Sequence, residues 1–235
     1  MPQTATIHID YFSDVLCVWA YTAQIRIDEL RRNYGAQVRF SQHFMPLFGC
    51  TAQRIGEGWR ERGSYAGFGR HVREVCAKFP HLDVHPDLWT GDVPASSASC
   101  HLFLKAVQLL QDKGELPREA RAEWAGRDVF EETIWRMRLA FFRDARNIAT
   151  LDCQRAIAAE LSLPVEALLA QIHSGEAMAA LCRDTELCNE FKVEGSPTYI
   201  LNEGRQKLYG NVGYKIIEAN VQEILRQPDY PASWC

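Results

Sequence analysis

The chain has 235 residues, of which 47% are hydrophobic and 24% are charged, and its formal net charge at pH 7 is −4. This composition is typical of a globular protein with one large domain, or with a domain that carries a substantial insertion. The negative charge disfavours a nucleic-acid binder, because such proteins usually present a basic surface to phosphate groups. No apolar run approaches the roughly 18 residues that span a bilayer, so we expect neither a nucleic-acid partner nor a membrane segment.

The start of the chain contains neither the basic stretch nor the apolar stretch of a secretory signal. We therefore expect a cytoplasmic protein. No two of the eight cysteines have C-x-x-C spacing. In a reducing compartment most cysteines act as small, buried apolar residues, and we predict that role for all but Cys17.

The opening of the chain predicts a β-α-β unit. Apolar side chains alternate over 6–12, which indicates a strand, and recur at helical spacing over 18–33, which indicates a helix. Gly35 is placed to end that helix. A second strand follows over 38–44 and ends before Pro46.

The middle of the chain predicts helices. Five glycines fall within residues 56–69, which favours an irregular or mobile segment. Trp59 and Phe68 lie among basic residues there and suggest either a lid over a binding site or an ordinary surface loop. The predicted helices are a short one that carries Phe68 and Val72, one at 96–113, a long one after Pro117, and two more at 150–161 and 164–173.

The end of the chain predicts the order α-β-β-α. These elements are a helix at 176–191, a strand after Pro197, a return strand at 206–209 and a last helix at 214–226. The complete order predicts an α/β protein. We expect one domain, formed by 1–46 and 179–235, to be split by an all-helical insert at 47–178.

Cys17 lies at the junction between the first predicted strand and the helix that follows it. Free backbone N–H groups and the helix dipole favour negative charge at such a position. A thiol there can have its pKa lowered from about 8.5 to ~3.5–7.5, which makes it a nucleophile and a leaving group at neutral pH. The alternative is a buried and inert cysteine.

Pro197 begins a predicted strand and follows Gly195 and Ser196. Proline is tolerated at the first residue of a strand. Since most X-Pro bonds are trans, these residues alone leave the isomer of this bond open.

Three segments together resemble the DsbA-like thioredoxin superfamily. Residues 14–21 (Asp-Val-Leu-Cys-Val-Trp-Ala-Tyr) are similar to its active-site segment, 195–198 to its cis-proline loop, and 208–214 to the turn into its last helix. The superfamily comprises DsbA-type oxidoreductases, kappa-class glutathione transferases and 2-hydroxychromene-2-carboxylate isomerases. The resemblance covers nearly the whole chain and implies a thioredoxin fold with an inserted all-helical domain.

The resemblance also implies the site. Cys17 is expected to be the catalytic nucleophile, and Ser196 to present its backbone to an extended partner. Pro197 is expected to face Cys17 and to keep metals away, so no metal site is expected. The residues expected to bind the substrate or glutathione are Val18, Trp19, Ala20, Ser196, Pro197 and Asn211.

The sequence departs from the oxidoreductases at Ala20, where they carry the second cysteine of C-x-x-C. Cys17 therefore cannot close a local disulfide. A mixed disulfide at Cys17 must be released by an external thiol such as glutathione, or by another cysteine such as Cys50. An engineered replacement of a second cysteine would give the same pattern, so the native identity of residue 20 stays open.

Three functions follow from this pattern. The leading hypothesis is a thiol-disulfide oxidoreductase that acts on a small or peptide disulfide, without a tightly bound cofactor and with glutathione as a cosubstrate. The second is a kappa-like transferase or isomerase in which Cys17 replaces the serine of those enzymes. Residues 212–214 lack the charged side chains those enzymes present near this turn, which disfavours glutathione binding. The third is a non-catalytic peptide-binding module. All three hypotheses leave open whether the protein forms a homodimer.

Overall fold

The structure, a computed structural model, describes residues 6–228 and contains a four-stranded mixed sheet. The strands are β1 (Ile7–Ser13), β2 (Val38–Phe44), β3 (Thr198–Leu201) and β4 (Gln206–Tyr209). Their order across the sheet is β2-β1-β3-β4. β1 pairs in parallel with β2 and antiparallel with β3, which in turn pairs antiparallel with β4.

One helix connects the two parallel strands, and a helical insertion separates β2 from β3. The helices are α1 (Val18–Tyr34), α2 (Ser64–Cys76), α3 (Ala98–Asp112), α4 (Val129–Phe142), α5 (Leu151–Glu160), α6 (Val165–His173), α7 (Glu176–Glu190) and α8 (Tyr214–Arg226). Within residues 6–228, no helix combines the length and apolar character that crossing a membrane requires.

Within the described residues, two of the three apolar clusters include residues of the first helix. One lies between the sheet and the helices α1 and α8, and includes Ile9, Ile27 and Ile217. The other is formed by the insertion helices and extends to Cys17 and Tyr21 at the start of α1. The first turn of α1 therefore lies where the sheet meets the insertion.

The predicted α/β fold class is confirmed, with a β-α-β opening and an α-β-β-α ending. Gly35 follows α1 with a positive φ of 49°, as its position predicted. The predicted boundary between the insert and the second segment of the split domain, at 178/179, falls inside α7. The two segments of that domain, 1–46 and 179–235, include residues outside the described range. The division into two domains stays a prediction.

The glycine-rich segment is helical, so the prediction of an irregular stretch is wrong. Short helical turns occupy Ala52–Glu57 and Arg60–Arg62, and α2 begins directly after Gly63. A Cβ at Gly67 would lie 1.8 Å from the carbonyl oxygen of Arg62, and one at Gly69 2.3 Å from that of Leu88. These two glycines permit close packing between backbones.

The long helix predicted after Pro117 begins only at Val129. Its first turn has a capping box, in which the Asp128 carboxylate accepts from the Glu131 backbone N–H and the Glu131 carboxylate accepts from the Asp128 N–H. These bonds satisfy two N–H groups that a helix start leaves unpaired. The predicted start is therefore wrong: the Asp-x-x-Glu pattern at 128–131, rather than Pro117, marks where this helix begins.

Candidate functional site

Cys17 is the residue that precedes the first turn of α1. Its backbone is extended (φ −79°, ψ 118°), and its carbonyl oxygen accepts from the N–H groups of Ala20 and Tyr21, at 3.1 Å each. Its own N–H donates to the carbonyl oxygen of Asp14 at 3.1 Å. A tight turn thus places the thiol at the N-terminal end of α1, where only 6% of the residue is exposed.

The cis-proline loop lies directly against this thiol. The Ser196–Pro197 peptide bond is cis, and the Cys17 thiol donates to the carbonyl oxygen of Ser196 at 3.3 Å. The structure therefore brings together the two segments that the sequence singled out from opposite ends of the chain.

The expectation of a lowered thiol pKa is wrong for this structure. Burial raises the pKa of Cys17 above its ordinary value, because the thiolate loses solvation. The Ser196 hydroxyl and the backbone N–H groups of Ala20 and Trp19 act in the opposite direction, while the negative charge of Asp14 adds to the rise. The groups that stabilise a thiolate at a helix start are present, but burial outweighs them.

Asp14 is a buried carboxylate that fixes this turn, and the sequence analysis did not identify it. It accepts from the backbone N–H groups of Leu16 (2.8 Å) and Phe48 (2.9 Å) and from the Ser97 hydroxyl (2.7 Å). The Asp14 N–H in turn donates to the Ser196 hydroxyl oxygen at 2.9 Å. One residue therefore links the thiol turn, the segment after β2, the start of α3 and the cis-proline loop.

His101 on α3 completes the surroundings of Asp14. Its Nε2 accepts from the Val15 N–H at 3.1 Å and lies 3.7 Å from the Asp14 carboxylate. Burial lowers the pKa of His101, and a neutral ring is what accepting at Nε2 requires. The Asp14 carboxylate is thus held by neutral donors and faces a neutral imidazole.

A cavity of about 530 Å³ lies beside Cys17. Of the predicted binding residues, Val18, Trp19 and Ser196 line it together with Cys17. Its other side is built by the segment from the end of β2 to α2, including Phe48, Trp59 and Phe68. The Trp59 and Phe68 rings lie edge to face, with centroids 5.0 Å apart. We call Phe48, Trp59 and Phe68 the aromatic wall.

The other predicted binding residues lie outside the lining of this cavity. Ala20 is fully buried in α1, and the Pro197 carbonyl oxygen accepts from the Gly210 N–H at 2.8 Å. Asn211 accepts from Arg26 at 2.7 Å and so contacts the outer part of α1. The structure does not bring Asn211 to the thiol.

The other cysteines within residues 6–228 lie outside the lining of this cavity. Those described are all unpaired, and none except Cys17 lines the cavity. Cys50, named above as one candidate to release a mixed disulfide at Cys17, is exposed, as is Cys182. Cys235 lies outside the described residues.

Comparison with known proteins agrees with this architecture. A thioredoxin family model matches residues 120–227. The ClpXP adapter protein SpxH of Shouchella clausii is 23% identical over 230 residues, a match that covers 96% of this chain and 69% of SpxH.

Two solved structures show the same fold. A protein from Nitrosomonas europaea, assigned as a protein disulfide isomerase, has a TM-score of 0.71 at 14% identity and covers 94% of this chain and 98% of its own. The cytosolic disulfide reductase DsbM from Pseudomonas aeruginosa, solved with GSH, has a TM-score of 0.64 at 19% identity and covers 92% of this chain and 99% of its own. The chain therefore has a thioredoxin-like fold, in which a helical insertion interrupts the sheet.

Proposed function

We propose that this chain is a thiol-disulfide oxidoreductase with Cys17 as its single active-site thiol. The observation that carries the proposal is the position of the Cys17 sulfur at the start of α1, beside a cavity and 3.3 Å from the carbonyl oxygen before a cis-proline. The similar DsbM protein is a cytosolic disulfide reductase solved with GSH. That likeness supports a glutathione-dependent reaction in a reducing cytoplasm.

The proposed reaction has two thiol-disulfide exchanges. In the first, the Cys17 thiol gives its proton to water and the thiolate attacks a glutathione mixed disulfide, which breaks into a free thiolate and a Cys17–glutathione disulfide. In the second, a glutathione thiolate attacks the glutathione sulfur on Cys17. Oxidised glutathione leaves, and Cys17 and the released thiolate each regain a proton. The net reaction consumes one free glutathione and converts the mixed disulfide into the substrate thiol and oxidised glutathione.

The residues around Cys17 support specific steps. The Ser196 hydroxyl and the N–H groups of Ala20 and Trp19 stabilise the thiolate once it forms. Because burial raises the pKa of Cys17, only a small fraction is ionised at neutral pH, and turnover should increase with pH. A thiol of raised pKa is also a slower leaving group, so the external thiol must drive the second exchange.

The test is turnover of the mixed disulfide of glutathione and cysteamine in the presence of glutathione. We expect Cys17→Ser to abolish turnover, because serine does not exchange with disulfides, and Cys50→Ser to leave it unchanged. If Cys50→Ser also lost turnover, the single-cysteine mechanism would be wrong.

The cavity beside Cys17 also favours a second candidate, a glutathione transferase or isomerase in which Cys17 only donates a hydrogen bond to the glutathione sulfur. Serine can make the same hydrogen bond. Cys17→Ser therefore separates the two reactions: it should abolish disulfide exchange but retain a transferase activity towards an electrophile such as chlorodinitrobenzene. Absence of both activities in the unmodified protein would favour a peptide-binding module.

A further inference from the structure

The cavity beside Cys17 has the dimensions of a small-molecule site. Its volume of about 530 Å³ lies within the roughly 300–1,000 Å³ that is typical of ligand pockets. Since Cys17 is only 6% exposed, a reacting sulfur must enter the cavity to reach it. A low-molecular-weight disulfide can do so whole, whereas a folded protein must first extend a segment.

The aromatic wall is held in place by the rings behind it. Phe68 lies edge to face with Trp89 at 5.3 Å, and Trp89 lies edge to face with Phe141 at 4.8 Å. Trp89 and Phe141 are both buried in the core of the insertion. A continuous set of ring contacts therefore supports the wall, which offers a flat apolar group a preformed surface.

Arg54 provides a positive charge at the same wall. Its guanidinium lies over the Phe48 ring, 5.1 Å from the centroid, and its side chain lines the cavity. Among the ion pairs found within residues 6–228, none involves Arg54. A guanidinium beside an aromatic ring suits a carboxylate carried on a flat group.

The cis-proline loop gives the cavity a second, different part. Glu194, Gly195 and Ser196 line it, and Glu194 is exposed. This part offers backbone groups and a negative charge, which suit the peptide bonds and the ammonium group of glutathione. The apolar part with Arg54 is left for the other half of the substrate.

We propose that the cavity selects glutathione mixed disulfides whose second half is a flat aromatic thiol that carries a carboxylate. This inference rests on the proposed function, and the reaction is the same: free glutathione and the mixed disulfide give the aromatic thiol and oxidised glutathione. Arg54 is the specificity-determining residue for the carboxylate, and the aromatic wall is the surface that binds the ring.

Binding of thioethers, which cannot exchange, tests the cavity without the reaction. The probes are S-methylglutathione, S-benzylglutathione and S-(4-carboxybenzyl)glutathione, titrated by calorimetry. We expect the benzyl group to tighten binding about tenfold and the carboxylate to add about threefold. Arg54→Gln should remove only the gain from the carboxylate. Arg62→Gln is the matched control, because Arg62 lies over the Trp59 ring but does not line the cavity.

Turnover supplies the second arm, with mixed disulfides of glutathione and either 4-mercaptobenzoate or cysteamine. We expect a higher kcat/KM for the mercaptobenzoate compound, and a smaller difference in Arg54→Gln. Equal binding of the three thioethers, with equal turnover of both disulfides, would overturn the selectivity and leave the oxidoreductase proposal standing. If the thioethers bound in the expected order but neither disulfide were turned over, the cavity assignment would be supported and the proposed reaction would be wrong.

Discussion

Two of the buried polar clusters that join the insertion to the sheet differ in how their charges are neutralised. The Asp14 cluster consists of Asp14, Ser97, His101 and Ser196, and the Asp184 cluster of Asp10, His43, Lys105 and Asp184. In the first, a carboxylate is held by backbone N–H and hydroxyl donors. In the second, Asp184 on α7 pairs with the Lys105 ammonium at 2.6 Å and with His43 Nδ1 at 2.9 Å.

The two clusters also differ in their position relative to the cavity. None of the residues of the Asp184 cluster lines the cavity, and its opposite charges compensate one another at the junction of α3, α7 and β2. The Asp14 cluster lies beneath Cys17, and its Ser196 lines the cavity. We infer that the Asp184 cluster mainly stabilises the fold, whereas the Asp14 cluster also sets the position and ionisation of the thiol.

The largest expected effect is on stability, in the Asp184 cluster. Asp184→Ala removes the counter-charge of buried Lys105 and the acceptor of the Phe44 N–H, which Asp184 binds at 2.7 Å. Breaking a buried ion pair typically costs about 3–5 kcal/mol, and we expect that loss in urea denaturation. The pH midpoint of Cys17 alkylation should not move. Asp87→Ala, at an exposed aspartate, is the control, and a loss below about 1 kcal/mol would contradict this assignment.

Asp14→Asn should lower both the free energy of unfolding and the pKa of the Cys17 thiol. The amide cannot accept all three bonds of the carboxylate, which predicts a loss of about 1.5–3 kcal/mol in the free energy of unfolding. Because the charge of Asp14 raises the pKa of Cys17, its removal should move the alkylation midpoint to lower pH. An unchanged midpoint in a folded variant would show that Asp14 acts on position alone.

Ser196→Ala should move the pH midpoint of Cys17 alkylation to higher pH, opposite to the shift expected for Asp14→Asn. The Ser196 hydroxyl lowers the pKa of Cys17, so its loss should shift alkylation to higher pH. The variant also leaves the buried Asp14 N–H without its acceptor, at a cost of about 1 kcal/mol. Iodoacetamide alkylation of Cys17, followed by mass spectrometry across a pH series, measures both variants. Shifts of the same sign in Asp14→Asn and Ser196→Ala would refute this account of the thiol.

The smallest expected effect is a pH dependence of stability from His43. Burial would lower the pKa of His43, but its hydrogen bonds to Asp10 and Asp184 outweigh burial and raise it. A raised pKa in the folded state gives stabilisation that is complete below about pH 6.5 and is lost as pH rises through the folded-state pKa.

Urea denaturation at a series of pH values across this range tests whether His43 causes this pH dependence of stability. His43→Gln should remove the part of the decline in stability that begins above about pH 6.5, while His81→Gln, at an exposed histidine, should retain it. An identical pH profile in His43→Gln and the unmodified protein would show that another group titrates.

The sequence predicted most elements because their apolar periodicity is local. The thiol turn and the cis-proline loop could also be predicted from the sequence, since each is a short segment with a recognisable pattern. Asp14 carries a weaker local signal, an aspartate at a strand end three residues before Cys17. Such a residue often accepts from the backbone two residues later, as it does from Leu16.

Other features depend on contacts between distant segments. The Asp184 cluster joins residues from β1, β2, α3 and α7, and no spacing along the chain predicts it. Gly67 and Gly69 pack closely against backbone carbonyl oxygens, and glycine composition alone does not distinguish such close packing from a mobile segment. The direction of the Cys17 pKa shift depends on burial by the insertion, which the junction at residue 17 does not reveal.

The central claim is that Cys17 alone exchanges with glutathione, and reaction with oxidised glutathione tests it most directly. Peptide mapping by mass spectrometry after incubation at pH 8.5 and at pH 7 locates each adduct. We predict one glutathione on Cys17, formed faster at the higher pH and absent from Cys17→Ser, whether or not the exposed Cys50 and Cys182 are replaced by serine. Adducts confined to the exposed cysteines, with Cys17 unmodified at both pH values, would contradict the account.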